Sequence, residues 1–395
     1  MSLTDPMNGV YPSQWIRQAI ANGTILADQP FVDSQIQPNS LDLRIASEGH
    51  RIQCSFLPGQ EGMSAKLEKY SWYSFKVPEA GIVLERNQIY LFPLCESLRL
   101  PSEVKGCANP KSTTGRLDVF TRLVTEHGTS FDEAPYGYTG RLYLEVVPRS
   151  FAVCVRPGDT LSQIRFQIGN PRLNPVETIE LLNSQHLILD YDQRTMRSED
   201  LDVQNGIVLS IHLPRKIDQQ RQPTIGFQAL KNVPPVDLRA RGLSRRRYWN
   251  RMFADSKPVI LEPDEFYIFR SRELVCLPPQ ICAEMVAFEA SSGEVRTHYA
   301  GFFDTGFGYR NGLSSDTTAA GVVLEVRSRD VPFLIEDGQP LFRIHLLRCT
   351  EEPDALYGAS SGSNYQSQRD VRLSKQFSTS AEIDEDEGQT RFEFD

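Results

Sequence analysis

The sequence predicts an all-β fold built twice over, with only a few short helices. Two observations carry this. Short runs rich in β-branched and aromatic residues, such as RLYLEVV, FAVCVRPG, GVVLEVR and VPFLIEDG, recur between Gly, Pro and Asp without any long helical period. The chain also repeats itself. Gly81–Pro101 (GIVLERNQIYLFPLCESLRLP) and Pro258–Pro278 (PVILEPDEFYIFRSRELVCLP) match at an offset of 177, pairing Leu84 with Leu261, Glu85 with Glu262, Tyr90 with Tyr267, Phe92 with Phe269 and Leu100-Pro101 with Leu277-Pro278. Further on the offset is 180: Ser112 and Arg116 match Ser292 and Arg296, Leu144-Glu145-Val146 matches Leu324-Glu325-Val326, and Gly158, Leu161 and Ile164 match Gly338, Leu341 and Ile344. A unit of that length is a domain rather than a solenoid repeat. Many short strands in such a unit point to a barrel or sandwich.

The elements follow in order along the chain. Ser13-Gln14-Trp15-Ile16-Arg17-Gln18-Ala19-Ile20 reads as a helix with Ser13 as N-cap and Gly23 as the stop. Strands then fill the first copy up to Arg156-Pro157-Gly158-Asp159, a tight turn. We expect one domain over residues 1–200, a second over 201–380, and a mobile acidic tail over 381–395 (AEIDEDEGQTRFEFD).

Composition narrows the function classes. Of the 395 residues, 40% are hydrophobic and 24% charged, enough for real cores. A net charge of −9 argues against nucleic acid as a partner, which calls for a large basic surface. The basic cluster Arg245-Arg246-Arg247 reads as a solvated loop or a set of ion pairs, although a few local cations suffice for one small polyanion. No apolar run approaches the ~18 residues of a membrane helix, so no membrane partner is expected. The start, MSLTDPMNGVYPSQW, lacks the basic region and apolar block of a secretory signal. The seven cysteines (54, 95, 107, 154, 276, 282, 349) contain no CxxC and read as reduced thiols, which suggests a cytoplasmic location. The six histidines (50, 127, 186, 212, 298, 345) show no ligand spacing and no H-x-E…P-C-x-x-C pattern, so no zinc is expected.

Several segments, in order, resemble the dCTP deaminase family of the dUTPase-like superfamily. Gln37–Arg44 (QPNSLDLR) is similar to that family's "QPxSxDLR" strand, Lys111–Leu117 (KSTTGRL) to its "RSSxxRLG" element, Tyr138–Glu145 to the strand that carries its catalytic glutamate, and Arg156–Asp159 to the turn after it. Ala300–Phe307 (AGFFDTGF) resembles the nucleoside-binding hairpin "AGxIDPGF", and Tyr357-Gly358 with Tyr365–Gln368 (YQSQ) the closing "YG…KYQGQ" segment. These fragments run from about residue 10 to 377. The departures are Lys111 in place of the family's arginine, an insertion after Asp132 in the first hairpin (Ser130–Gly137), only eight residues between Arg296 and Asp304, and a loop from Tyr309 to Ala319 before Glu325.

The resemblance implies two tandem dUTPase-like distorted β-barrels of the β-clip type, and hydrolysis of dCTP to dUTP and ammonia in the supply of dUTP and dTTP precursors. By itself a glutamate in an LEV strand reads as a solvent-facing residue. In the family reading Glu145, or its equivalent Glu325, shuttles protons. Ser112 and Arg116, or Ser292 and Arg296, orient the water and hold the carboxylate. Lys111, Asp132, Ala300, Phe303, Asp304, Tyr365 and Gln368 bind substrate, with Asp304 on the 3′-hydroxyl and Phe303 excluding a 2′-hydroxyl. Tyr365 and Gln368 fold over the triphosphate, which brings Mg²⁺ with it. The family also implies dTTP as an inhibitor and a homo-oligomer whose barrels come in threes. The first copy best preserves Lys111, Ser112, Arg116 and Glu145, and the second the hairpin and closing segment. That asymmetry predicts a composite site in which Ser112 and Arg116 face a nucleotide gripped by Asp304. Glu325 and Glu145 compete as its carboxylate. Two other readings stay open: a dUTP diphosphatase, alone or combined with deamination, and a non-catalytic nucleotide-binding regulator. Ammonia release and the phosphorylation state of the product separate them.

Overall fold

The computed structural model describes residues 4–214, 223–254, 258–287, 295–297, 301–309, 319–328, 330–358, 365–366 and 368–378, with only the strand course given for 287 and 295–297. The chain is mostly β with a few short helices. The acidic tail lies outside the described residues.

In the first half, Tyr90–Arg99 pairs with Thr139–Pro148, which pairs in turn with Val119–Thr125. A second sheet centres on Thr160–Ile168, flanked by Leu41–Arg44 and Val104–Pro110. The second half follows the same plan. Phe266–Val275 pairs with Ala320–Ser328, and Ile281–Ala287 with Pro340–Arg348. Glu145 stands opposite Leu91 in one half and Glu325 opposite Ile268 in the other. Every residue from Leu142 to Pro148 is buried, and so is every residue of Ala320–Ser328. That is why these central strands read as continuous β-branched and leucine runs instead of clean alternation. Both strand-to-strand turns need a left-handed residue, supplied by Gly158 (φ 82°) and Gly338 (φ 80°).

The first helix spans Ser13–Ala21, with Pro12 at the N-cap position expected for Ser13. The Ser13 hydroxyl is drawn to the Asp354 carboxylate instead, and Arg17 Nη1 joins the same carboxylate at 2.6 Å. A second helix, Pro175–Ser184, starts at a capping box between Asn174 and Glu177 (3.0 and 2.9 Å). Its Leu181 and Leu182 pack with Leu173, Leu187 and Ile188 in the core of the second half. The chain therefore changes cores near residue 170, earlier than the division after residue 200 expected from sequence.

The halves share apolar and ionic contacts. Phe151 of the first half meets the rings of Tyr248, Trp249 and Phe377 at 6.0, 5.2 and 6.5 Å. Tyr248 and Trp249, directly after the three arginines, are thus buried anchors. Val236–Asp237 adds a parallel strand to Val153–Val155, and Arg156 clamps Asp237 with two bonds of 2.6 and 2.9 Å. Buried Arg327 of the second half reaches Asp118 and Ser150 of the first.

Candidate active site

A cavity of about 440 Å³ opens between the halves and draws its walls from both. The first half contributes Asp42, Lys111, Ser112 and Arg116, and the second contributes Phe303, Asp304, Glu325, Tyr365 and Gln368.

Strand Val104–Pro110 ends at Lys111, and the short helix Ser112–Gly115 turns Arg116 inward. Lys111 Nζ is held by the Asp42 carboxylate and by Thr160 Oγ1 (2.9 Å). Arg116 is buried. Its Nη1 donates to the Arg372 carbonyl (2.8 Å), and both terminal nitrogens approach Gln368 Oε1 (3.3 Å). The guanidinium lies 3.6 Å from the centroid of the Tyr365 ring. Its Nε is buried with no hydrogen-bond partner among the described residues, an unmet donor of the kind a bound ligand satisfies.

Glu325 enters the cavity from the central strand of the second half. Burial pushes its carboxyl up to about 8, against the pull of Arg116 and a backbone hydrogen bond, and Asp118 adds to the rise. A carboxyl there exchanges protons near neutral pH, as a proton shuttle requires.

The hairpin after Phe302–Phe303 is set by the first half. Arg165, fully buried on strand Thr160–Ile168, donates to the carbonyls of Ala283 and Phe303 and to Asp304 Oδ1, each at 2.8 Å. Its guanidinium stacks on Phe302 (4.1 Å). Asn39 Oδ1 accepts from Thr305 N (2.9 Å). Gln368 ties the closing segment to strand Ala320–Ser328, its Nε2 donating to the Gly321 carbonyl (2.7 Å). Sequence reading passed over Arg165 as a site residue. The signal was a lone charge inside the apolar run SQIRFQI.

The other candidates lie elsewhere. Glu145 is buried but does not line the cavity. Burial raises its carboxyl above the usual range, against a hydrogen bond from Ser55 and the charge of Arg122. The segment that follows strand Glu48–Ile52 folds over this region. Met63, with Phe56 and Leu67 beside it, packs on Leu91, Val124 and Tyr143, near Phe131. Gly59 N and Met63 N bond the carbonyls of Gly128 and Glu126 (3.0 Å each). In the second half the segment in the same place, after Thr224–Ala229, crosses to pair with the first half, and Glu325 lines the cavity.

Strand register corrects two equivalences drawn from sequence. Ala134 stands opposite Gly106 as Phe303 stands opposite Ala283, so Pro135, and not Asp132, takes the place of Asp304. Asp132 is spent on the fold: its carboxylate takes Arg122 Nη1 and Leu123 N, both at 2.8 Å. Arg296 stands opposite Arg327, the place Phe120 holds opposite Val147, so it is not the counterpart of Arg116. A chain can gain or lose residues before a strand, and residue spacing alone does not show it. Ser292 and Ala300 lie outside the described residues.

Comparison with known proteins bears on both halves. The family model of the 2′-deoxycytidine 5′-triphosphate deaminase N-terminal domain matches residues 7–170, and that of the C-terminal domain matches residues 177–377. A dCTP deaminase of Ignicoccus hospitalis is 28% identical over 130 residues, 33% of this chain and 67% of that protein. A "dCTP deaminase, dUMP-forming" of Methanobrevibacter smithii is 26% identical over 194 residues, 45% of this chain and 94% of that protein. The crystal structure of 2′-deoxycytidine 5′-triphosphate deaminase from Agrobacterium tumefaciens superposes with a TM-score of 0.79 at 40% identity, covering 90% of this chain and all of that one.

Proposed function

The chain belongs to the 2′-deoxycytidine 5′-triphosphate deaminase family, and from that premise we propose that it hydrolyses dCTP to dUTP and ammonia in the cleft between its halves. The observation that carries the assignment of the site is the meeting of Ser112 and Arg116 with Glu325, Phe303 and Asp304 in one cavity.

In this reading two dUTPase-like barrels share the work. Asp304, steadied by Arg165, takes the 3′-hydroxyl, and Phe303 fills the space a 2′-hydroxyl needs. The Ser112 hydroxyl orients a water at C4 of cytosine. Glu325 accepts a proton from that water as its oxygen bonds to C4, and passes the proton to N3. A proton from the tetrahedral intermediate then reaches the amine through the same carboxylate, and the C4–N bond breaks to release ammonia. Arg116 holds Glu325 electrostatically and offers its unmet Nε to the water or to the pyrimidine carbonyl. Lys111, Tyr365 and Gln368 close on the triphosphate, and Mg²⁺ arrives as part of that substrate.

Glu145 is the weaker candidate base, since it sits beneath Ser55 and Met63 and has Pro135 where Glu325 has Asp304. The cleft closes within one chain, so an oligomer with barrels in threes adds neighbours without being needed to complete it. Inhibition by dTTP and a cytoplasmic location fit the same reading. The similarity to proteins named as dUMP-forming favours a second reading, in which dUTP is cleaved further to dUMP and pyrophosphate. Incubating purified protein with dCTP and Mg²⁺ and measuring ammonia, dUTP, dUMP and pyrophosphate separates the two. Release of ammonia with dUTP is expected. Pyrophosphate from dUTP with no ammonia from dCTP refutes deamination.

A further inference from the structure

The cavity does not end at Lys111. It adjoins a smaller recess of about 220 Å³, and Thr113, Gly158, Thr160 and Lys375 line both spaces. Lys375 therefore stands at their junction. Beyond it the recess is walled by Arg239 and Arg241.

The backbone around Lys375 is firmly anchored. Ser374 Oγ donates to the Thr113 carbonyl (2.8 Å), and Gln376 Nε2 donates to the Leu238 carbonyl (2.8 Å). Leu243 N bonds the Gln376 carbonyl (2.8 Å) and Ser378 N bonds the Leu243 carbonyl (3.0 Å). Phe377 is buried among Phe151, Tyr248 and Trp249. A lysine presented this way loses little further freedom when it grips a ligand.

Its charge is also unmatched. The two carboxylates nearby each hold another cation, Asp42 Oδ2 holding Lys111 and Asp159 Oδ1 holding Arg239 (2.7 Å), while Asp42 Oδ1 is buried with no hydrogen-bond partner among the described residues. Among the described residues Lys375 has no hydrogen bond or ion pair from its ammonium group, and Arg241 has the carbonyls of Ala240 and Arg239 (2.6 and 3.3 Å). A half-buried ammonium beside Lys111, Arg239 and Arg241, four cations against the two carboxylates of Asp42 and Asp159, is the electrostatic form of an anion site. Burial, Lys111 and Arg241 push its pKa down to about 8, against the pull of Asp42 and Asp159.

We propose that Lys375 binds the terminal phosphates of the substrate at the mouth of the recess, and that it is the residue by which the site distinguishes a deoxynucleoside triphosphate from a monophosphate. This rests on the deaminase reading for its substrate, but the anion site does not depend on the chemistry at the base.

The test compares the full chain with its Lys375→Ala and Lys375→Arg variants. Steady-state kinetics on dCTP and dCMP should show KM for dCTP rising about tenfold or more in the alanine variant, with kcat little changed, the usual size of a lost charge-assisted contact. The dCMP parameters should not move, and arginine should restore dCTP binding. A purely structural role would shift both substrates together. Calorimetry with inorganic tripolyphosphate and Mg²⁺ reads the site without any deamination. Its affinity should fall about tenfold in the alanine variant. In the wild type it should also decline as pH rises past 8, and in the arginine variant it should stay flat across that range. The proposal is overturned if tripolyphosphate binds the wild type and the alanine variant equally, or binds neither, or if KM for dCTP is unchanged in the alanine variant. A protein that binds tripolyphosphate through Lys375 but releases no ammonia from dCTP would sink the deaminase reading and leave the anion site standing.

Discussion

Replacing Glu325 by glutamine should give a protein that is inactive and yet more stable, by a margin that grows with pH. The carboxyl titrates at about 8 in the fold against 4.5 in an ordinary glutamate, because it is buried in the cleft. Below pH 4.5 it is protonated whether the chain is folded or unfolded, and its burial carries no ionic cost. As pH rises the unfolded chain ionises first, so the stability belonging to the neutral carboxyl is progressively lost until pH passes 8. At about 1.36 kcal/mol per unit the full loss is about 4–5 kcal/mol, of which about 3 kcal/mol falls between pH 5 and 8. Glutamine keeps the shape and does not titrate. Urea unfolding at several pH values should therefore show the gap between variant and wild type widening by about 3 kcal/mol from pH 5 to 8, whatever constant cost the buried amide brings. Turnover of dCTP should fall at least ~100-fold with binding largely kept, since the amide cannot accept the proton. In the wild type, kcat/KM should climb with pH toward 8 as the base ionises. A variant with near-wild-type turnover would remove Glu325 from the mechanism. A stability gap that stays constant across pH would show that the carboxyl is not buried as described.

Three further outcomes follow from the same geometry. Glu145→Gln should keep turnover within about twofold of wild type, because a group outside the cleft cannot supply the ~100-fold or more of a general base; a loss as large as that of Glu325→Gln would place the chemistry in the first half. Phe303→Ala should raise kcat/KM for CTP relative to dCTP by about tenfold, the scale of discrimination that shape alone provides; an unchanged ratio measured by competition would take Phe303 out of sugar selection. Mixing Arg116→Ala and Asp304→Ala proteins after dissociation and reassociation should restore no activity, because each cleft is built within one chain and every chain carries a lesion; recovery of a substantial fraction would mean that clefts form between chains.

Much of this was legible in residue types and order. The closing Tyr365 and Gln368 were recognisable, and the uneven preservation of motifs pointed to a cleft that combines Ser112 and Arg116 with Asp304. The cavity brings those residues together with Glu325. Other parts were not legible, for definite reasons. Matching Ser292 and Arg296 to Ser112 and Arg116 assumed a constant offset, and the pairing of Arg296 with Arg327 shows the chain to be out of step there. Asp132 was matched to Asp304 by its place after a strand, but the hairpin insertion puts Pro135 at that register. Met63 and Leu67 look like any surface-helix residues in sequence, and only their packing beside Tyr143 and Val124 shows that they cover the first half. Lys375 sits among ordinary tail residues until Ser374, Gln376 and Phe377 are seen anchoring it.

The two halves differ in one described loop, and that difference bears on why the described cleft lies on one side only. The segment after Thr224–Ala229 reaches across to pair with Val153–Val155, and in doing so it holds the halves together along the wall of the cavity. Its counterpart after Glu48–Ile52 folds back and seals its own side with Met63. With that side covered, Glu145 keeps Ser55 and the charge of Arg122 from its own half and lies outside the cavity. The first half is then free to use its strands for support. Arg165 is the clearest case: an unpaired buried guanidinium costs several kcal/mol, and here its four-part environment of Ala283, Phe303, Asp304 and Phe302 lies wholly in the second half. The requirement that Arg165 be satisfied therefore couples the docking of the halves to the placement of Asp304, so the same contacts that join the two domains also set the geometry of the site.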